Sequence, residues 1–168
     1  MTNHENTNPA RALIEGISSR MILFLENAEQ CLDQLNDQQV WYRENPRDNA
    51  IGNLVLHVVG NLRQINNAIN GLPDVRDRPS EFSTTGGKSK NELKSTLHNA
   101  VTECCQVIDS LPLTRLTEAY RIQNKDTTIA YALIMAMSHF GLHLGQMQFI
   151  AKRLLHENYR EALRRAPK

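Results

Sequence analysis

The chain has 168 residues, and its 19 basic and 18 acidic side chains leave a formal charge of +1. That balance, with an aromatic content of 5%, excludes nucleic acid as a main partner, because phosphate binding needs a basic excess and base stacking needs aromatic rings. The length suits one domain with its own core, and three cysteines, Cys31, Cys104 and Cys105, make no disulfide framework and read as small buried residues of a reduced, cytoplasmic protein.

The opening MTNHENTNPARA is polar and carries no apolar leader; residues 1–9 are expected to be disordered. A first helical segment follows, with Leu13, Ile17, Met21, Phe24, Ala28, Cys31 and Leu35 recurring at steps of three and four. The connector WYRENPRDN is broken by Pro46 and offers Asp48 or Asn49 as the cap of the next helix. That second helix spans about residues 50–70, with a stripe of Ile51, Leu54 or Val55, Val58, Leu62, Ile65 and Ile69. Residues 71–88 hold prolines, glycines, Ser and Thr and read as a long loop, a class of segment that is often functional.

Ser89 and Glu92 form an S-x-x-E capping box before a third helix carrying Leu93, Leu97, Val101, Cys104 and Ile108. The next connector contains TEAYRIQ, whose alternation suits a short strand or an extended crossover. Asp126 or Thr127 is positioned to cap a fourth helix, with Ile129, Leu133, Ala136, Phe140, Leu144, Met147, Ile150 and Leu154 on its stripe. The tail, 157–168, is charged and suits a short helix. No apolar run approaches the roughly 18 residues a membrane span needs. Four amphipathic helices predict an all-α four-helix bundle over 10–156, with two of the three connectors long enough to cross it.

The stretch SHFGLHLGQ sets His139 and His143 four residues apart, on the row shared by the apolar Ala132, Ala136 and Met147. Core imidazoles need partners for their ring nitrogens. Two readings remain open for the pair: a shared metal ion, or two histidines bonded to carbonyls or water. Phe140 stands where an H-E-x-x-H zinc protease has Glu. In the second helix Asn53, His57, Asn61 and Gln64 form a row of their own, either the wall of a polar pocket or the edge of a solvated face. Gln146 shares the face of His143 and reads either as support for a ligand ring or as a surface glutamine. Glu15, Glu26, Glu29 and Glu103 are the helical carboxylates weighed as acid or base, and Arg47 and Arg63 the cations weighed for an anionic substrate.

One histidine inside IGNLVLHVVGNLRQ, then HFGLHLGQ far downstream, with WYREN before the second helix, resembles the DinB/YfiT-like superfamily over about residues 10–155. The resemblance implies a DinB-like four-helix bundle with a divalent metal, zinc or nickel, on His57, His139 and His143. Asn61, Gln64 and Gln146 would then line or support the site. It further implies a small-molecule substrate, a transferase reaction with a low-molecular-weight thiol, and a homodimer. A metal-dependent hydrolase and a non-catalytic metal-binding or stress-response dimerisation protein stand as alternatives.

Overall fold

A computed structural model describes residues 8–122 and 125–161. The long helices are α1 (Pro9–Asp33), α3 (Ile51–Ile69), α5 (Lys90–Ser110) and α6 (Ile129–Leu155), and the short α2 (Asp37–Val40) and α4 (Arg78–Ser83) lie in connectors. Two strands, β1 (Ala119–Ile122) and β2 (Lys125–Thr128), pair antiparallel, with Ala119 opposite Thr128. The all-α four-helix bundle is as expected. The strand suggested by TEAYRIQ is one arm of this hairpin.

Helices α1 and α3 each pack on both α5 and α6. Thus α1 and α3 are diagonal to each other, as are α5 and α6. The chain crosses the bundle twice, through residues 34–50 with α2 and through 111–128 with the hairpin. The third connector, 70–89, is just as long but joins neighbours, so its length serves another purpose: α4 folds back onto α3.

Several boundaries shift for local reasons. Helix α1 starts at Pro9, capped by Asn8, whose Oδ1 accepts the Ala10 N–H at 2.9 Å. Ile14 is buried and Leu13 is 52% exposed, so Leu13 does not belong to the core stripe. Residues 1–7 of the expected disordered arm lie outside the described residues. So do residues 162–168 of the expected tail helix, while His156–Asn158 forms a single 3-10 turn.

Neither Asp48 nor Asn49 caps α3. The helix is capped from within, as Asn53 Oδ1 accepts the Ala50 N–H at 3.0 Å. Thr128, not Asp126 or Thr127, caps α6: β2 runs on through Thr128, whose Oγ1 accepts the Tyr131 N–H at 3.3 Å. The Ser89–Glu92 capping box forms as expected. The core combines Met21 and Leu32 of α1, Leu54 and Leu62 of α3, Leu93 and Leu97 of α5, and Phe140 and Met147 of α6, all fully buried. Trp41 holds the first crossover down: its Nε1 donates to Lys88 O at 2.7 Å, and its ring lies where a Cβ on Gly52 would be 2.8 Å away.

Asn53, fully buried, ties two segments to α3. Besides capping the helix, its Oδ1 accepts from Arg43 Nη2 at 2.8 Å, and its Nδ2 donates to Glu81 O at 2.9 Å and Thr84 O at 2.8 Å. Replacing Asn53 with Ala strands these groups, and the expected cost is about 2–4 kcal/mol, read as a lower midpoint of urea unfolding.

Candidate metal centre

Helices α3 and α6 face one another, and each sends imidazole into the seam between them. His57 comes from the middle of α3; His139 and His143 stand one turn apart on α6. His139 Nε2 lies 3.0 Å from His57 Nε2 and 3.0 Å from His143 Nε2. One nitrogen from each ring falls within 4.8 Å of the others. The structure therefore brings together the three histidines singled out in the sequence.

The outer nitrogens decide the protonation of the inner ones. His57 Nδ1 is 2.7 Å from Glu81 Oε2, a contact that requires a proton on Nδ1 and leaves Nε2 with a lone pair. Arg76 Nη2 is also 3.0 Å from His57 Nδ1, but it has better acceptors in Glu81 Oε2 at 2.9 Å and His57 O at 3.3 Å. His143 Nδ1 meets Gln146 Oε1 at 2.7 Å and likewise keeps its lone pair on Nε2. His139 Nδ1 is buried and has no partner among the described residues. Three Nε2 atoms thus face one another with two lone pairs fixed inward, and only a proton or a cation among them relieves the repulsion.

A divalent ion suits this donor set. Zinc–imidazole distances of about 2.0–2.1 Å in a tetrahedral arrangement imply nitrogens about 3.3 Å apart, close to the 3.0 Å at which His57 and His143 each approach His139. Three neutral ligands with no carboxylate or thiolate leave room for a further ligand.

The pKa shifts point the same way. His139 is pushed down from its ordinary 6.5 to about 4, first by burial and then by the charges of His143 and His57. His57 is lowered by burial against the opposing hydrogen bond to Glu81. His143 is lowered by burial against the opposing bond to Gln146. All three rings are neutral, ligand-ready bases at neutral pH.

The support around His57 comes from the 71–88 segment, read in the sequence only as a long loop. Glu81 of α4 is 7% exposed, and Arg76 grips it with Nε on Oε1 at 2.7 Å and Nη2 on Oε2. Phe82 lays its ring 4.6 Å from that of His57. Gly60, one turn beyond His57, makes room: a Cβ there would sit 1.9 Å from Glu81 Oε1.

The other sequence candidates sort clearly. Gln146 is exposed but bonded to His143. Gln64 is one step further out, accepting from Arg76 Nη1 at 3.0 Å and donating to Asp74 at 2.5 Å. Asn61 Oδ1 is buried without a partner among the described residues, and no contact ties it to the histidines. Glu15, Glu26 and Glu103 are exposed, and Glu29 pairs with the exposed His98 at 2.8 Å, so none of the weighed carboxylates enters the site. Arg47 and Arg63 face solvent, whereas Arg76 and Arg43 turn inward. Glu81 and Arg76 went unread in the sequence. Asp77 followed by Arg78 and Pro79 is a helix-start signal within that loop, but no spacing ties Glu81 to a histidine 24 positions earlier.

Beside the centre a cleft of about 810 Å³ opens between the first crossover and α6, lined among others by Arg43, Leu54, Leu142, Gln146 and Phe149. Gln146 is common to the cleft and to the His143 contact.

The fold is DinB-like. The chain is similar to a conserved protein from Enterococcus faecalis (TM-score 0.72, 17% identity, 82% of this chain and 94% of that one). It is also similar to a DinB-like protein from Bacillus cereus (TM-score 0.68, 17% identity, 83% and 91%). A DinB-like protein, YjoA, from Bacillus subtilis shares the fold too (TM-score 0.68, 14% identity, 88% and 96%). Within that fold the chain belongs to the family described as "Protein of unknown function (DUF1572)", which matches residues 8–164. No curated protein matches it in sequence.

Lowered histidine pKa values carry a sign for stability. Between 6.5 and about 4 the unfolded chain binds protons that folded His139 refuses. The stability from a neutral His139 is complete above 6.5 and is lost as pH falls through that window. The metal-free protein is expected to melt at progressively lower temperature as pH drops across it, and His139→Leu to flatten that slope in a calorimetric pH series.

Proposed function

We propose that the chain is a divalent-metal-dependent enzyme, its zinc or nickel held by His57, His139 and His143, that transfers a group to or from a low-molecular-weight thiol in the cytoplasm. The carrying observation is the convergence of three imidazoles, one ring nitrogen of each within 4.8 Å of the others, with the Nε2 lone pairs of His57 and His143 each 3.0 Å from His139 Nε2. An ion held by neutral imidazoles keeps its charge and supplies Lewis acidity, lowering the pKa of a thiol or water that reaches it.

The chain's own residues prepare this chemistry. His57 and His143 present their Nε2 atoms because Glu81 and Gln146 occupy the opposite nitrogens. Phe82 packs its ring 4.6 Å from that of His57 and backs the imidazole from the connector side. The chain supplies no reactive thiol itself: Cys31, Cys104 and Cys105 are free and buried, and burial pushes them up to about 12, about 12 and about 11. Those buried thiols favour an external thiol and a reducing, cytoplasmic setting. Among the described residues no helix is long and apolar enough to cross a membrane. The adjoining cleft has the volume of a small-molecule site. Hydrolysis is the neighbouring reaction on the same site, distinguished by turnover without thiol.

Elemental analysis of native protein should return about one divalent ion per chain, with loss in each of the His57→Ala, His139→Ala and His143→Ala variants. Thermal shifts with glutathione, bacillithiol, mycothiol and coenzyme A should pick out one thiol. Native protein that carries no metal, and gains no melting temperature from added zinc or nickel, overturns the proposal.

One observation favours the second reading, a metal-binding dimer without catalysis. Tyr131, Met135, Leu142 and Phe149 are 46–61% exposed on α6, and with Ser138 and Gly145 they recur at steps of four, three, four, three and four. That 3.5-residue period is the seam of a helix that packs on another helix. A second copy is the occupant that supplies the same seam about a two-fold axis. Light scattering should give a dimer, and the pair Leu142→Glu and Phe149→Glu should give a folded monomer; a monomeric native chain removes the dimer from both readings.

A further inference from the structure

We infer that Glu81 is the positioning residue of the metal centre: seated by Gly60 and held by Arg76, it fixes the proton of His57 on Nδ1 and thereby turns a lone pair toward the other two histidines. The inference rests on the three-histidine reading above and adds residues that no spacing in the chain connects to it.

The three rings are unequally supported. His143 leans on the amide of an exposed glutamine, and His139 Nδ1 has no partner among the described residues. Among the described residues, only His57 of the three meets a carboxylate, and that carboxylate is buried. If the proton of His57 sat on Nε2 instead, the 2.7 Å contact of Nδ1 with Glu81 Oε2 would set two lone pairs against each other. Arg76 closes the other route, since its Nε and Nη2 take both carboxylate oxygens and hold the plane of the group. An imidazole that donates to a carboxylate is a fixed and more basic metal ligand, and loss of such a partner costs about 10–100-fold in metal affinity.

Gly60 is a separate line of support. Alanine is the better helix former at an interior position, yet α3 carries glycine on the face where a Cβ would run into Glu81 Oε1 at 1.9 Å. Arg76 Nε would come within 3.1 Å of the same Cβ. Glycine here admits the carboxylate to the backbone of α3, and with it the whole 71–88 segment becomes part of the centre.

Two measurements test this. Long-range proton–nitrogen correlation on metal-free native protein reads the tautomer of His57, with a proton on Nδ1 expected. Competition titration with zinc reads affinity in Glu81→Gln, which keeps shape and removes charge, and in Gly60→Ala, which displaces the carboxylate without altering it. Both variants should bind about 10–100-fold more weakly than native protein, while Gly60→Ala stays folded on helix-propensity grounds. Loss in Glu81→Gln alone still supports Glu81 and removes Gly60 from its seat. Native affinity in Glu81→Gln, or a His57 proton on Nε2, overturns the inference. If Glu81→Gln does not fold, Gly60→Ala and the native tautomer decide it. If native protein binds no zinc or nickel, the proposed function fails, and the tautomer alone then decides the role of Glu81.

Discussion

A carboxylate buried between a guanidinium and an imidazole is the constraint on which the site depends. Taking Glu81 and Arg76 out of water costs several kcal/mol per ion, and only close, multiple contacts offset it. The two Arg76 bonds to Glu81 and the single Glu81 bond to His57 supply those contacts. Such a pair adds little net stability over a well-packed apolar core, but losing one partner leaves a stranded charge. The arrangement is thus better understood as a means of holding one histidine than as a means of holding the fold. Arg76 also offsets the charge that Glu81 brings, so no uncompensated anion is left beside the neutral imidazoles.

The bundle supplies what that constraint needs. Because α1 and α3 are diagonal, α3 packs along α6 and its histidine faces the pair on that helix. Trp41 against Gly52, and Asn53 bonded to Arg43, Glu81 and Thr84, clamp the first crossover and the 71–88 segment to one end of α3. The same segments wall the cleft at Arg43 and border the centre at Glu81 and Phe82. Scaffold and site are therefore built from the same few hydrogen bonds, and the long middle connector is explained by its content rather than by any distance it must span.

Legibility varied with the range of the interaction. The stripes of α3, α5 and α6 could be read because burial repeats with the helix period, and His139 with His143 could be paired because four residues make one turn. Leu13 was misread because Leu13 and Ile14 both stand one helical step before Ile17, and packing alone decides that Ile14 is the one buried. The caps at Ala50 and Thr128 were misread because Asn53 caps from inside the helix and because the strand pair keeps the chain extended through Thr128, so the helix begins only after it. Glu81 was invisible because a buried carboxylate in a polar loop has the composition of a solvated one.

By itself the sequence determined an all-α bundle of four amphipathic helices, the helix faces that carry the histidines, and a resemblance that singled out three of them. These follow from local periodicity, which needs no partner to be read. Tertiary structure alone decided that His57 meets the pair on α6, that Glu81 and Arg76 stand behind it, and that Gly60 lets them approach. Those outcomes depend on side chains from separate segments sharing a few ångströms, and distance along the chain carries no record of that.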